Sequence, residues 1–321
     1  MADTYIGTCS WTDRGLIQAG TFYPAWARTT EARLRFYASV FPTVEVDSTY
    51  YALPSPATSR LWVERTPEGF IFHIKAFRLF TYHWTEPAAL PRDLQGLAPR
   101  DKGRFYLRDA PWELREELLR RFVEALLPLE SAGKLGLVLF QFPPWVAPRR
   151  DVLDHILAMQ EALGQYRLAV EFRNRAWLEG DRRERTLSWL AGHRLAYVCV
   201  DEPQGLSSSV PPVARATTDI AYVRFHGRNK ATWEARAATS AERFDWYYSA
   251  QELQEWVPRI RALQEEARQV HLLFNTNNRD QGPHNAIRLG RLLGEGLGRE
   301  DAVRSVERSL GLAADPVEGP R

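Results

Sequence analysis

The feature that most constrains the fold of this chain is a regular alternation of short β-rich runs with helical patterns. Each run is apolar, rich in β-branched or aromatic residues, and ends in polar residues, which is typical of a buried strand. Eight such runs with amphipathic helices between them predict an α/β fold, a single (β/α)8 TIM-type barrel. The predicted strands are Tyr5–Cys9, Thr43–Asp47, Phe70–Lys75, Leu135–Gln141, Leu168–Phe172, Leu195–Val200, Ala221–Phe225 and Val270–Phe274.

Three segments add detail to the repeating unit. Residues 77–109 lack clear periodicity, so we predict a long insertion after strand 3 that covers the site or binds a ligand. Residues 201–219 are rich in Pro, Gly and Ser and predict an irregular link between strands 6 and 7. A helical pattern from Leu253 to Leu263 is expected to kink at Pro258. We expect one barrel domain over residues 1–312 and a flexible tail over 313–321.

Composition excludes several classes of protein. The chain has 321 residues, 45% hydrophobic and 26% charged, which is close to a globular average and argues against disorder or a coiled coil. A net charge of +2 indicates no overall field for nucleic acid, so that partner stays open only through a local basic site. Two cysteines, the lack of a signal-peptide pattern and short apolar runs predict a cytoplasmic protein that does not enter a membrane. We expect a small-molecule substrate, and the oligomeric state stays open.

Polar side chains at the ends of the predicted strands indicate where a site would form. TIM barrels place active sites at the C-terminal ends of the strands, and alternate side chains of a strand point into the barrel. This filter selects polar residues from every strand. They are Ser10 or Trp11, Glu45 and Asp47, His73 and Lys75, Gln141, Glu171 and Arg173, Asp201, Arg224 and His226, and Asn275 with Asn277.

Two interpretations of this ionisable set stay open, because buried charges cost free energy unless they are paired. One is a purely structural salt-bridged plug at the barrel top. The other is a site that binds and transforms a ligand. Glu45 and His73 lie deeper along their strands, which suits structural pairing equally well or better. Lys75, Glu171 and His226 lie nearer the rim, which favours function.

Other chemistry is indicated less directly. Gly227, Arg228 and the loop over residues 275–285 follow strands 7 and 8, where such barrels often bind an anion. We predict no cofactor, and a divalent metal stays open only as an oxygen and nitrogen site. That site would need convergence of Glu45, Glu171, Asp201 and His226. Aromatic residues near the predicted rim would provide stacking surfaces for sugar rings or bases: Trp11, Phe22, Tyr23, Trp26, Tyr50, Tyr51, Tyr82, Trp84, Trp145, Trp177 and Trp233.

Ten motifs along nearly the whole chain give it a family resemblance. They are Ile6–Trp11, Phe22–Pro24, Val44–Tyr51, Phe70–Lys75, Thr81–His83, Gln141–Pro143, Glu171–Arg173 with Trp177, Tyr222–Gly227, Tyr247–Ser249, and Asn277-Asn278 with Asn285-Ala286. Together they resemble the domain-of-unknown-function 72 family, also called YecE-like. The resemblance implies a TIM-type barrel and no established activity. The chain departs from the family pattern at Cys9-Ser10, where Ser-Gly is usual, at Asp47, where Asn is usual, and at Asn174, where His is frequent.

The leading hypothesis is an enzyme that performs acid–base chemistry on a small polar substrate, anionic or phosphorylated, at the barrel mouth. The predicted catalytic residues are Glu45, Lys75, Glu171 and His226, as general acid or base, charge stabiliser or amine nucleophile, and proton shuttle. The predicted substrate-binding residues are Trp11, Asp47, Tyr50, His73, Gln141, Arg173, Arg224, Gly227, Asn275 and Asn277. Alternatives are a metal-dependent phosphodiesterase or nuclease, a non-catalytic module that binds a sugar or nucleotide, and a glycoside hydrolase, which the surrounding positive charge disfavours.

Overall fold

The eight predicted strands form one closed barrel. The computed structural model describes residues 2–99, 101–235 and 239–312. All strand pairs are parallel, neighbours in the barrel follow the order of the chain, and β8 pairs back onto β1 to close it. The fold class predicted from the sequence is therefore confirmed. The strands are β1 (Asp3–Thr8), β2 (Thr43–Val46), β3 (Ile71–Lys75), β4 (Leu135–Gln141), β5 (Leu168–Glu171), β6 (Ala196–Asp201), β7 (Ile220–Phe225) and β8 (Gln269–Phe274).

Helices surround the barrel, and the longer ones bury apolar side chains on one face. Capping residues mark several starts; Ser55 accepts a hydrogen bond from the Thr58 N–H, and Pro56 occupies the first helical position. The helices are α1 (Arg14–Ala19), α2 (Thr30–Val40), α3 (Pro56–Glu64), α4 (Trp112–Ser131), α5 (Arg150–Leu163), α6 (Arg182–Gly192), α7 (Lys230–Trp233), α8 (Ser240–Arg243), α9 (Ala250–Gln254), α10 (Val257–Glu266), α11 (Gln281–Leu293) and α12 (Glu300–Ser309).

The predicted kink at Pro258 is wrong. The chain instead ends α9 at Gln254 and starts a separate helix, α10, at Val257. Pro258 lies in the first turn of α10, where a missing N–H leaves no helical hydrogen bond unmade. The proline thus begins a helix and does not bend one.

The long insertion after β3 is confirmed. In place of regular helices it has short 3-10 turns at Arg78–Thr81, Pro87–Ala89, Arg92–Leu97 and Leu107–Asp109. A bridge between Thr85 and Phe105 closes the middle of the insertion on itself. Because it leaves from the C-terminal end of β3, it lies beside the barrel mouth.

The irregular link between β6 and β7 is also confirmed, since residues 202–219 contain no helix. Side chains anchor it: the Val210 N–H donates to Glu202 Oε1 at 2.7 Å, and Thr217 Oγ1 donates to the Leu195 carbonyl at 2.6 Å. The predicted flexible tail over residues 313–321 lies outside the described residues. Within the described ranges, none of the helices is long and apolar enough to cross a membrane.

Candidate functional site

One fully buried arginine joins the polar side chains at the C-terminal end of the barrel. Arg224 projects inward from β7, between the outward Val223 and Phe225. Its Nη2 donates to Glu45 Oε1 at 2.6 Å, and its Nη1 donates to Glu171 Oε2 at 2.5 Å. Because all three side chains are excluded from water, each charge depends on the others for compensation.

Glu171 is the second centre of this arrangement. Arg173 Nη1 donates to its Oε1 at 3.2 Å, and His226 Nε2 lies 3.1 Å from the same oxygen. Burial raises the pKa of Glu171, but the opposite effects of Arg224, His226 and Arg173 are together larger. The pKa of Glu171 therefore lies well below its usual range. Glu171 is therefore ionised. We call Glu45, Glu171, Arg173, Arg224 and His226 the ionic cluster.

The protonation of His226 follows from its two neighbours. Burial lowers its pKa to about 3, with opposing effects from Glu171 and from the arginines, so the ring is neutral near pH 7. An ionised Glu171 requires the proton on Nε2, which makes Nδ1 the acceptor. The side-chain amide of Asn275 lies 3.1 Å from Nδ1 and donates to it. This chain of Asn275, His226 and Glu171 holds the imidazole in one tautomer.

Glu45 shares Arg224 with Glu171 but has a different environment. Its Oε2 accepts a hydrogen bond of 2.7 Å from the Tyr222 hydroxyl. Burial raises its pKa to about 7, an effect that Arg224 and Lys75 only partly offset and that Asp47 reinforces. The two carboxyl groups that contact Arg224 therefore have pKa values shifted in opposite directions, upward for Glu45 and downward for Glu171.

Lys75 and Asp47 lie nearer the surface than the ionic cluster. Lys75 Nζ is 3.0 Å from Asp47 Oδ1, and the two side chains are 12% and 22% exposed. The ammonium also lies over the Tyr50 ring, 4.9 Å from its centre. Burial lowers the pKa of Lys75, but Asp47, Glu45 and Tyr50 raise it, and the net pKa lies above the usual value. The amine stays protonated, which suits charge stabilisation and not nucleophilic attack. We call Lys75 and Asp47 the rim pair.

Arg173 links the ionic cluster to a further buried acid, Glu202. Arg173 Nε lies 3.3 Å from Glu202 Oε2, and the guanidinium stacks on Trp233 at 4.4 Å. Burial raises the pKa of Glu202 to about 8, against the lowering effect of Arg173. Trp233 and Phe244 also contact the His226 ring, so the segment after β7 covers this side of the mouth.

Several residues predicted for the site lie elsewhere. His73 is deep in the barrel, where Nε2 lies 2.9 Å from His271 Nδ1 and Nδ1 accepts the Leu137 N–H at 3.0 Å. Trp11 packs against Trp62 and Phe72 between the barrel and α3. The strand-end position of each residue was predicted, but its side chain contacts structural neighbours and not the ionic cluster.

The anion site predicted at Gly227 and Arg228 stays a prediction, and the contacts of both residues disfavour it. The Gly227 N–H already donates to the Tyr248 hydroxyl at 2.9 Å. Arg228 is neutralised by Asp201 at 2.7 Å and by Glu255 at 2.9 Å. The backbone at Gly227 has φ +82°, and a Cβ there would meet Trp246, so the glycine serves the turn itself.

The structure brings Gln141, Asn275 and Tyr50 to the mouth and leaves Asn277 at its edge. Gln141 accepts from Arg224 at 3.1 Å. Asn277 has a long contact of 3.4 Å to Ser240 Oγ, while its buried Oδ1 has no hydrogen-bond partner among the described residues. These positions extend the polar surface from β4 to β8.

The acidic residues do not converge on a metal position. Asp201 points away from the barrel axis, where it accepts from the Tyr248 hydroxyl at 2.7 Å and from Trp256 Nε1 at 2.6 Å. Arg224 bridges Glu45 and Glu171 on its two guanidinium nitrogens, and His226 contacts Glu171. In residues 2–99, 101–235 and 239–312, no group of three or more His, Cys, Asp or Glu side chains is placed to hold a metal ion. The predicted oxygen and nitrogen ligand set therefore does not fit.

Three contributors to the mouth were missed from the sequence. Glu202 follows β6, which is buried along its whole length and gives no alternation from which to assign the direction of Glu202. Arg78 lies in the insertion and stacks on Trp84 at 4.4 Å and on Tyr50 at 5.5 Å. Phe244 is the residue directly after α8, and it does not lie at the end of a strand. Parity along β6 therefore gave no signal for Glu202, and the other two residues lie outside the strands.

Comparisons with known proteins give a consistent result. The family model described as "Protein of unknown function DUF72" matches residues 5–307. The chain is 32% identical over 293 residues to the UPF0759 protein YunF of Bacillus subtilis, covering 90% of this chain and 94% of that protein. It is 26% identical over 185 residues to the UPF0759 protein YecE of Escherichia coli K12, covering 57% of this chain and 53% of that protein.

Solved structures match the same fold. A DUF72 family protein from Thermotoga maritima has a TM-score of 0.70 and 28% identity, covering 91% of this chain and all 100% of that chain. A DUF72 family protein from Enterococcus faecalis V583 has a TM-score of 0.70 and 23% identity, covering 92% of this chain and 98% of that chain.

Proposed function

This chain belongs to the DUF72 family of proteins of unknown function, and from that premise we propose that it is an enzyme performing acid–base chemistry on a small anionic or phosphorylated substrate at the barrel mouth. Glu45 is the proton-transferring group. Glu171 is a permanent charge that positions Arg224 and His226. Lys75 and Arg173 bind the anionic part of the substrate.

The observation that carries this proposal is the contact of Arg224 with two carboxyl groups whose pKa values shift in opposite directions. The pKa of Glu45 is raised to about 7, while the pKa of Glu171 lies well below its ordinary value. Pairs of acids whose environments separate their pKa values are characteristic of acid–base sites. A group with a pKa near 7 can both accept and return a proton at neutral pH.

Charge at the mouth supports an anionic substrate. Lys75, Arg173 and Arg224 supply three cations, and the ionised Glu171 and the Asp47 carboxylate of the rim pair offset two of them. Glu45 and Glu202 have pKa values of about 7 and about 8, so near pH 7 they are only partly ionised. Lys75 and Arg173 also retain some exposure, at 12% and 9%, which gives a ligand access to them. A substrate phosphate or carboxylate would complete the compensation.

The experiment is a substrate screen in heavy water with a mixture of small phosphorylated and carboxylated compounds. Mass spectrometry would detect conversion, and proton NMR would detect solvent deuterium in the carbon skeleton. We expect turnover with wild-type protein and a loss of about 10²-fold or more in Glu45→Gln, because the amide keeps the hydrogen bonds but cannot transfer a proton. Glu252→Gln, a change at a partly exposed helix cap outside the mouth, is the matched control.

Two results would contradict the proposal. Full turnover by Glu45→Gln would remove the assigned acid–base role. Saturable binding of an anion that Lys75→Ala abolishes, with no conversion of any compound, would favour a non-catalytic binding module. Chelator-sensitive conversion would instead favour a metal-dependent phosphodiesterase, for which the described acids offer no assembled ligand set.

A further inference from the structure

A second concave surface lies outside the barrel mouth, between the N-terminal halves of α5 and α6. It is an open groove of about 390 Å³, a volume in the range of small-molecule sites. Its floor is apolar and includes Leu153, the buried face of Trp177 and the half-buried Trp189. Pro148, Thr186 and four arginines also line it, and none of the described lining residues is acidic; the arginines are Arg149, Arg150, Arg182 and Arg185.

The floor of this groove is held rigidly. Trp177 stacks on Phe172 with ring centres 4.1 Å apart, and its Nε1 donates to the Val146 carbonyl at 2.8 Å. Asn174 Nδ2 donates to the Pro144 carbonyl at 2.7 Å. These bonds join the loop after β4 to the loop after β5, so the walls of the groove keep a fixed separation. A preformed site spends little binding free energy on ordering.

The arginines are unequally compensated. Arg149 pairs with Asp151 at 2.9 Å, and Arg150 lies 3.9 Å from Asp154. On the opposite wall, Arg182 makes a single long hydrogen bond of 3.4 Å to the Ala176 carbonyl. In the part of the chain that the structure describes, neither Arg182 nor Arg185 forms a salt bridge with a carboxylate. These two guanidiniums are therefore available to an anion.

We propose that the groove between α5 and α6 binds a nucleoside phosphate, with the flat ring on the Trp189 floor and the phosphate on Arg182 and Arg185. Guanidinium groups bind phosphate oxygens in paired, charge-assisted hydrogen bonds. Flat rings stack on aromatic faces. An apolar floor under uncompensated arginines fits a molecule that carries both features. The site shares no side chain with the ionic cluster and does not depend on the proposed function.

The test is calorimetric titration of the full chain with AMP at low ionic strength. We expect saturable binding that Arg182→Ala/Arg185→Ala weakens by at least about tenfold. Trp189→Leu should weaken AMP binding but leave inorganic phosphate unchanged. The control is Arg304→Ala/Arg308→Ala, two exposed arginines of α12, which should bind AMP like wild type. Unchanged melting temperatures would show that all variants fold.

Further ligands separate the contribution of the ring from that of the phosphate. They also show whether the natural ligand is a free nucleotide or a nucleic acid strand. Adenosine, which lacks the charge, and inorganic phosphate, which lacks the ring, should each bind more weakly than AMP. A short single-stranded oligonucleotide that AMP displaces in competition would show that a nucleic acid strand uses the same groove. Both a free nucleotide and a strand would support the inference if the Arg182→Ala/Arg185→Ala variant loses them.

Two outcomes would overturn the inference. One is no AMP binding by wild type, or binding that the Arg182→Ala/Arg185→Ala variant retains. The other is AMP binding that Glu171→Gln or Lys75→Gln abolishes while the arginine variant keeps it, which would place the nucleotide in the barrel mouth. That second result would leave the proposed function standing, so the two hypotheses fail separately.

Discussion

The barrel interior holds two groups of buried polar side chains, and they compensate for burial by different means. The histidine pair, His73 and His271, lies deeper along the strands and is neutral. The Leu137 N–H donates to His73 Nδ1, so His73 Nε2 carries the proton and donates to His271 Nδ1. Burial lowers the pKa of both rings, to about 3 for His271, so neither takes up a proton near pH 7.

The ionic cluster compensates charge with charge and leaves some groups ready to change protonation. Arg224 bridges Glu45 and Glu171, yet only Glu171 is ionised well below pH 7. The neutral histidine pair thus keeps one protonation state near pH 7 and acts only as a structural contact. Shared charge produces a region whose state responds to protons and anions. Substitutions in each group can test this difference.

The largest effect is expected for Arg224→Met. It leaves the carboxyl groups of Glu45 and Glu171 buried without their shared cation, which should lower the free energy of unfolding by about 3–5 kcal/mol. Urea denaturation at neutral pH measures this. Arg308→Met on the exposed face of α12 should change stability by no more than about 0.5 kcal/mol. A loss below about 1 kcal/mol for Arg224→Met would show that the two acids are compensated by other groups.

A smaller loss is expected when the histidine pair is broken. His73→Leu leaves the Leu137 N–H and His271 Nδ1 without the hydrogen bonds that they make to His73, at a cost of about 2–3 kcal/mol. The double variant His73→Leu/His271→Leu should lose less than the sum of the single variants, by about 1 kcal/mol or more. The measurement is a double-mutant cycle in urea. Additive losses would mean that the two rings do not stabilise each other.

The next largest effect is expected in the pH dependence of the free energy of unfolding, which Glu45 of the ionic cluster should change. The pKa of Glu45 is raised from 4.5 to about 7 in the folded state, so between these values the folded chain holds more protons than the unfolded chain. Its contribution to stability therefore falls as pH rises through this window. Glu45→Gln removes that contribution, so wild type should lose stability relative to the variant by about 2 kcal/mol across it.

Urea denaturation at several pH values between 4.5 and 7 measures the change at Glu45. Glu252→Gln is the control, and its stability should run parallel to wild type over this window. A wild-type profile parallel to that of Glu45→Gln would show that Glu45 titrates normally, which would equate the ionic cluster with a fixed structural element.

The smallest effect is expected at the rim pair. Lys75→Gln removes a partly exposed ion pair, so the free energy of unfolding should fall by only about 0.5–1 kcal/mol, and less at high salt. Thermal or urea denaturation at two salt concentrations checks this. A loss above about 3 kcal/mol would show that Lys75 belongs energetically with the buried charges.

Much of the fold was predictable because the strands are apolar and separated by helical periodicity. Leu135–Gln141 was predicted with its observed bounds, and the ends of the other strands differ from the prediction by at most two residues. The helix α12 was missed, although Ala302 and Val306 bury one face of it. The break before Pro258 was missed because a proline at the first turn and a proline within a helix have the same local sequence signal.

The site was predictable where a strand alternates and unpredictable where it does not. On β7, Tyr222, Arg224 and His226 alternate with apolar neighbours, and the structure brings all three inward. On β6 every residue is buried, so parity could not decide between Asp201 and Glu202. The charge of Arg228 is compensated by Asp201 and Glu255, which are distant in sequence and become its neighbours only in the fold.

Closure of the barrel by β1 and β8 has a consequence for the order of folding. Asp3 pairs with Gln269, and Glu45 near the start of the chain finds Arg224 on β7. A growing chain that has made β2 therefore keeps Glu45 hydrated until most of the protein has emerged. Contacts of such long sequence separation form slowly. We expect the charges to leave water only in the last step, when the final strands close the cylinder.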